Sequence, residues 1–405
     1  MSERELSSSA ALLKIEKIIR SLNLTPVIQT LDKDKFVATA KLFDEHHNLV
    51  ESGAGKGPDS IIGALAESIE HLSIFQRSPN NISLQRCNFI ANQKAAELDG
   101  FFTSLPCEAE SIECFRLTTF DKTDDLFVPS ILLCPVMDTH LWQTASADTH
   151  FLSRYSSNSG TAFGCTKAEA LLHGINEVIE RHVLSCFFMS VCEIGPVMKL
   201  YAPSSALLTK ALQNDSCALN RAEKLQVIII KDVMGVYFSV AFPKSGPGEF
   251  HLSPLGSGCS LNICTAIQRA VTEQFQVDAL YDDTQEAKDR KALNLLANSK
   301  ILRCLIDLNP VKNLRLPMLD LPLRAYVASV PSQLDALRQN LLATNRTIYH
   351  RVVTQYADDG IVCQAYIPGL ERFNIIRNGS LVAPQRILRQ PRNPLAFQAT
   401  HADHY

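Results

Sequence analysis

Three stretches of this chain place charged or polar side chains, at least one carboxylate in each, three or four residues apart, the spacing that puts two side chains on one face of a helix. Glu67 and Glu70 lie in the first. Glu169, Glu177, Glu180 and Arg181 lie in the second, and Arg269, Glu273 and Gln276 in the third. Carboxylates repeated on otherwise apolar helices do not suit a plain core, because a buried charge must be paired or hold a metal. Glutamates accompanied by arginines suit Mg²⁺ and a nucleotide phosphate chain, since Mg²⁺ takes a few carboxylates plus substrate phosphate oxygens.

Each stretch also has a plainer reading. The first is a surface helix with a solvated acidic edge. The second is a structural network of Glu177, Glu180 and Arg181. The third is an intrahelical Arg269–Glu273 pair, which is common and weak. The three taken together favour the nucleotide site.

Hydrophobic periodicity outlines the elements that must position these residues. It predicts a helix over 8–23, a strand over 35–43, and a helix from about 58 to 75. Pro58 and Asp59 suit the first turn of that helix. The "GAGKG" segment before it reads as a loop whose backbone N–H groups and Lys56 approach phosphate, although the Walker A order is absent. Residues 111–120 and 127–136 read as strands. The loop "SSNSGTAFG" leads to a helix over 167–189, and residues 225–243 form a strand pair turning at Met234-Gly235. The segment "GSGCSLN" reads as a second loop into a helix over 263–281. A charged stretch (282–300), an amphipathic helix (331–343) and a late strand in "GIVCQAYIPGLE" complete an α+β pattern.

Composition sets the frame. The 405 residues are 46% hydrophobic and 20% charged, enough for a large core in one large or two intimate domains. A net charge of −3 argues against general nucleic-acid binding. The N-terminus has no apolar signal core, so a cytoplasmic protein is expected, and the longest apolar run, 183–191, is too short for a membrane span. The twelve cysteines are scattered without a CxxC pair and read as buried reduced thiols.

The composite of "GAGKG…ALAESIEHLS", "SSNSGTAFGCTKAEALLHGINEVIER", "GCSLNICTAIQRAVTEQFQ" and "IPGLE" resembles the YcaO-domain family from about residue 37 to 386. The resemblance implies mixed β-sheets packed with helices, and an ATP site formed by the three carboxylate-bearing helices. On that basis 1–35 is an N-terminal helical segment, 36–386 the catalytic domain and 387–405 a tail. It implies ATP and Mg²⁺ as cofactors, with Glu67, Glu70, Glu177, Glu180 and Glu273 beside the metal. Arg181 and Arg269 match phosphate contacts and, with Glu273, are the candidate catalytic residues. Gln276, Ser157, Asn158 and Lys56 match further positions of the nucleotide site. The sequence departs from the family pattern at His71, where arginine is usual, at Ala64, where serine is common, and in the extra small residue of "SSNSG".

The activity so implied is ATP-dependent activation of a peptide backbone amide. A nucleophile adds to the carbonyl, the resulting oxyanion is phosphorylated, and phosphate departs. Substrate Cys, Ser or Thr as nucleophile gives an azoline in a ribosomally made peptide, which is the leading expectation. Delivered sulfide gives a thioamide, with a TfuA-like partner, and an amine gives an amidine. An accessory role in ribosomal-protein modification is a further family possibility. Outside the family, an ATP-grasp-like ligase or a non-catalytic scaffold that recruits peptide are the alternatives. Residues 1–35 are too short for a leader-binding module, so a precursor peptide and an E1-like or ocin-ThiF-type leader-binding partner are expected. A homodimer is a further expectation from the resemblance, with no nucleic acid and no membrane. The tail carries Pro391 and Pro394, fewer prolines than ring-forming members, and His401 and His404 would act as bases only if it folds inward.

Overall fold

The computed structural model describes residues 3–75, 82–105, 111–135, 150–245, 255–312, 314–320, 328–372, 376–377 and 380–388. The tail beyond 388, with Pro391, Pro394, His401 and His404, lies outside the described residues.

Three strand–turn–helix units organise the chain. Strand Leu49–Lys56 leads to helix Ser60–Phe75, strand Thr161–Gly164 to helix Lys167–Val191, and strand Gly256–Ser260 to helix Ile263–Leu280. These are the first, second and third site helices. The glycine-rich stretches expected as loops are therefore largely strands. The reason is steric: each strand lies so close to its helix that only glycine fits facing it. A Cβ on Gly55 would sit 1.8 Å from the Ser60 carbonyl oxygen, and one on Gly256 2.1 Å from that of Ala270. Glycine at such places marks close approach of backbone rather than a phosphate loop.

The strands belong to three antiparallel sheets. Val37–Phe43 pairs on one side with Thr25–Thr30 and on the other with Leu49–Lys56. The register sets Val37 opposite Lys56 and Ala38 opposite Gly55. A second sheet runs Gly256–Ser260, Val236–Pro243, Leu225–Val233. Its hairpin turns at Met234 and Gly235, both at positive φ (51° and 72°), as a two-residue turn matched to strand twist requires. The largest sheet orders Ile82–Arg86, Ser111–Thr118, Tyr349–Tyr356, Gly360–Tyr366 and Thr161–Gly164, with Asp125–Pro129 also on Ser111–Thr118. The expected strand over 127–136 ends at Pro129, where a short helix, Ser130–Leu133, begins.

The second site helix is the central element. It packs on the largest sheet through Gly360–Tyr366 and Thr161–Gly164, and on Gly256–Ser260 of the second sheet. Its Leu172, Ile175, Ile179, Val183 and Phe187 are fully buried, each contributing about 1.5–3 kcal/mol of hydrophobic stabilisation. The N-terminal helix, Ser8–Ser21, buries Ile15, Ile18 and Ile19 against Leu65 and Ile69 of the first site helix and Phe163. The charged stretch after 282 is a helix, Asp283–Ala297, and the amphipathic helix spans Val330–Ala343. The eleven described cysteines form no disulfide with one another.

His350, on the strand Tyr349–Tyr356, is 4% exposed and packs on Phe120. Burial, then nearby Lys167, pulls its pKa down to about 4. A histidine depressed in the folded state is protonated first in the unfolded chain, so stability is present near neutrality and lost as pH falls from about 6.5 toward 4. Urea unfolding is expected to show an acid loss in which this group accounts for about 2 kcal/mol. The loss should shrink in His350→Gln; an unchanged acid limb in that variant would remove His350 as a contributor.

Candidate active site

The three site helices meet around one cavity of about 400 Å³. Glu67 and Glu70 of the first, Glu177, Glu180 and Arg181 of the second, and Arg269, Glu273 and Gln276 of the third all line it, with Lys56 and Asn158. Ser157 does not: its hydroxyl accepts the Ser159 backbone N–H at 3.1 Å, closing the loop on itself.

The strand–helix pairing also orients the carboxylates. Glu67 Oε2 accepts the Ala54 N–H (2.6 Å), Glu70 Oε1 the Phe163 N–H (2.8 Å), and Glu177 Oε2 the Gly160 N–H (3.1 Å). Glu180 Oε1 accepts the Ser257 hydroxyl at 2.7 Å. Each of these carboxylates thus has one oxygen fixed by a strand or its adjoining loop. Glu70 and Glu180 reach across to a neighbouring unit, so the pins also hold the units together.

Positive charge is distributed unevenly. Lys56 Nζ lies 2.5 Å from Glu273 Oε2, so this lysine pairs with a site carboxylate. Arg181 sits 3.7 Å from Glu177 Oε1. Partial desolvation works against its charge, the side chain being partly exposed, but Glu177, Glu273 and Glu180 outweigh that and raise its pKa. Near Glu70, burial, with Glu67 and Glu177 adding repulsion, pushes the carboxyl well above the usual range. Burial likewise raises Glu177. These shifts come first from burial, which disfavours the ionised carboxylates, and a divalent cation held between them would offset that cost.

The donor set therefore fits Mg²⁺ with a nucleotide. Among the described residues no three His, Cys, Asp or Glu side chains form a ready-made metal cage. Mg²⁺ itself keeps several waters and binds through one or two carboxylates plus phosphate oxygens.

The cavity also contains Glu169, which the acidic spacing singled out but the family match did not assign, and His173 and Arg4, which the sequence reading did not name. Glu169 is 4% exposed and accepts the Cys165 N–H at 2.8 Å, while Thr166 caps the helix by accepting the Glu169 N–H. The Thr-x-x-Glu spacing signals that cap, and Glu169, His173 and Glu177 fall at successive intervals of four. Arg4 carries no such signal. His71, at the departure from the family pattern, stands between Glu67 and Glu51 at 3.8 and 3.9 Å, with Nδ1 3.0 Å from the Ser52 carbonyl.

Comparison with known proteins follows the same outline. A family model described as YcaO cyclodehydratase, ATP- and Mg²⁺-binding, matches residues 53–371. No curated protein matches. Among solved structures, YcaO from Methanopyrus kandleri bound with AMPPCP and Mg²⁺ is similar with a TM-score of 0.60 and 13% identity, over 91% of this chain and 92% of that one. A heterocyclase in complex with substrate and cofactor aligns at TM-score 0.63 and 16% identity, over 91% of this chain and 53% of that longer one. The E. coli microcin synthetase McbBCD complex gives a TM-score of 0.52 at 15% identity, over 85% and 86% of the two chains. At these identities the likenesses establish the fold.

Proposed function

The chain belongs to the YcaO family, and from that membership we propose that it activates backbone amides of a ribosomally made precursor peptide, converting Cys, Ser or Thr to azolines. The observation that carries the reading is the convergence of six glutamates and two arginines from three helices on one cavity. A precursor peptide and a partner protein that presents it belong to the same proposal. The solved complexes offer parallels: the E. coli microcin synthetase complex has been seen with pro-MccB17 bound, and the heterocyclase with its substrate.

In this reading Glu67, Glu70, Glu177, Glu180 and Glu273 hold Mg²⁺, and Arg181 and Arg269 hold phosphate oxygens. ATP, when bound, supplies the phosphoryl group that makes the amide oxygen a leaving group. The chain's part is positioning and charge stabilisation, the principal demands of phosphoryl transfer. The backbone pins on Glu67, Glu70 and Glu177 keep those carboxylates oriented before the nucleotide arrives. Asn158 and Gln276 add polar contacts at the cavity wall.

Two measurements test this. Mg²⁺ and AMPPCP together, at a hundredfold excess over Kd, are expected to stabilise the protein by about 2.7 kcal/mol. Either one alone should stabilise it much less. Incubation with Mg²⁺–ATP, the genomically adjacent peptide and any adjacent partner should then release phosphate and remove ~18 Da from the peptide per event, whereas supplied sulfide giving a gain of ~16 Da would assign thioamidation instead. Nucleotide binding without phosphate release or mass change would favour a peptide-recruiting scaffold.

A further inference from the structure

The N-terminal residues enter the site from a direction that the three-helix pattern does not foretell. Glu3 is 6% exposed. Its Oε2 lies 2.6 Å from Arg269 Nη2, and its Oε1 accepts the Ser260 hydroxyl at 2.5 Å and the Asn176 side-chain amide at 3.4 Å. The arm is fixed on both flanks: Arg4 pairs with Asp59 at 2.8 Å, the Glu5 N–H donates to Glu169, and Thr166 donates to the Glu5 carboxylate.

Arg269 is held on several sides. Nη1 donates to the Cys259 carbonyl at 3.0 Å, and Nη2 approaches His173 Nδ1 at 3.0 Å as well as Glu3. His173 is neutral here, its pKa drawn down to about 4 by burial and Arg269, so its Nδ1 accepts. Burial opposes ionisation of Glu3, but the Arg269 charge, with the hydrogen bonds from Ser260 and Arg269, outweighs it and holds its carboxyl below the usual range. Arg269 and His173 line the cavity, and Glu3 does not. The carboxylate therefore braces the guanidinium from outside the cavity and does not occupy the phosphate space.

We infer that Glu3 is a positioning residue for the nucleotide site, holding the Arg269 guanidinium in place and keeping it from pairing with Glu180. This rests on the reading of Arg269 as a phosphate contact. Glu180 is the other carboxylate whose charge acts on Arg269, and in the proposed function it is a metal ligand. Without Glu3, the arginine would turn to Glu180, and the site would lose a phosphate donor and a metal ligand together. The arm thereby makes the N-terminal residues part of the site although they lie far from the helices in sequence.

The test is titration of full-length protein with Mg²⁺–AMPPCP, beside thermal melting. Glu3→Gln keeps the shape and removes the charge, and about tenfold weaker binding is expected, the effect of losing a group that orients a ligand. Glu3→Asp should recover part of the loss. Ser260→Ala, which loosens Glu3 without touching Arg269, should weaken binding a few-fold and serves if Glu3→Gln does not fold. In an Arg269→Ala background, Glu3→Gln and Ser260→Ala should cause no further loss. Unchanged binding in folded Glu3→Gln or Ser260→Ala overturns the inference. Tighter binding overturns it too, since Glu3 would then be a competitor of phosphate. An equal loss with and without Arg269 assigns Glu3 a role in folding alone. Arg269→Ala binding as the wild type does would instead sink the premise that Arg269 contacts phosphate.

Discussion

Arg181→Ala is expected to lower the rate of ATP-dependent peptide modification by about a hundred- to a thousandfold, the usual consequence of removing one preorganised donor from developing charge. Arg181 lines the cavity, and its charge is secured by Glu177, Glu273 and Glu180. Its ion pair to Glu177 is 3.7 Å long, and its side chain is 42% exposed. The guanidinium can thus turn to meet an incoming phosphate. A pair of this exposure contributes about 1 kcal/mol or less to stability, so the fold should survive. Arg181→Lys keeps the charge but loses the planar fork, and should fall between the two. Initial rates by mass spectrometry under saturating Mg²⁺–ATP, beside a melting curve, check this. A folded Arg181→Ala within about threefold of the wild-type rate would remove Arg181 from the phosphate contacts.

The largest expected loss of stability is at Gly55, whose strand lies against the first site helix. A methyl group there would sit 1.8 Å from the Ser60 carbonyl oxygen and 2.4 Å from the Ala64 nitrogen. Both are backbone atoms, so no rotamer change relieves the clash and strand and helix must separate. Overpacking of this kind costs about 3 kcal/mol or more. Separation would also move Glu67 off the Ala54 N–H and disturb the cavity. Gly63→Ala is the informative comparison. Its Cβ would be 3.2 Å from the Gly55 Cα, a mild crowding offset by about 1 kcal/mol of helix propensity. Urea unfolding should therefore place Gly63→Ala near wild type and Gly55→Ala far below it. Equal stabilities for the two would show that the strand–helix spacing is not held by these glycines.

The site helices were legible because helical periodicity and three-residue acidic spacing are local signals. The second was expected over 167–189 and spans Lys167–Val191, and the third was expected over 263–281 and spans Ile263–Leu280. The glycine-rich stretches misled because glycine carries the same letter whether it serves a loop or a tight strand–helix contact. Only the partner backbone, such as Ser60 and Ala64 beside Gly55, distinguishes them. The strand Tyr349–Tyr356 was not foreseen, since its pairing with Gly360–Tyr366 and Ser111–Thr118 is a tertiary matter.

By itself the sequence determined which residues could do chemistry, on which helices, and to which family they point. Side-chain spacing along one helix is fixed by helix geometry, so Glu67 with Glu70 and Glu177 with Glu180 needed no fold to be paired. The tertiary structure alone decided how the helices meet, that Lys56 pairs with Glu273, and that Ser157 turns away from the cavity. It also brought Glu3 to Arg269, 266 residues along the chain. Nothing local encodes such a contact. It exists because the buried guanidinium requires a buried partner, and the folded N-terminal helix delivers the arm that supplies one.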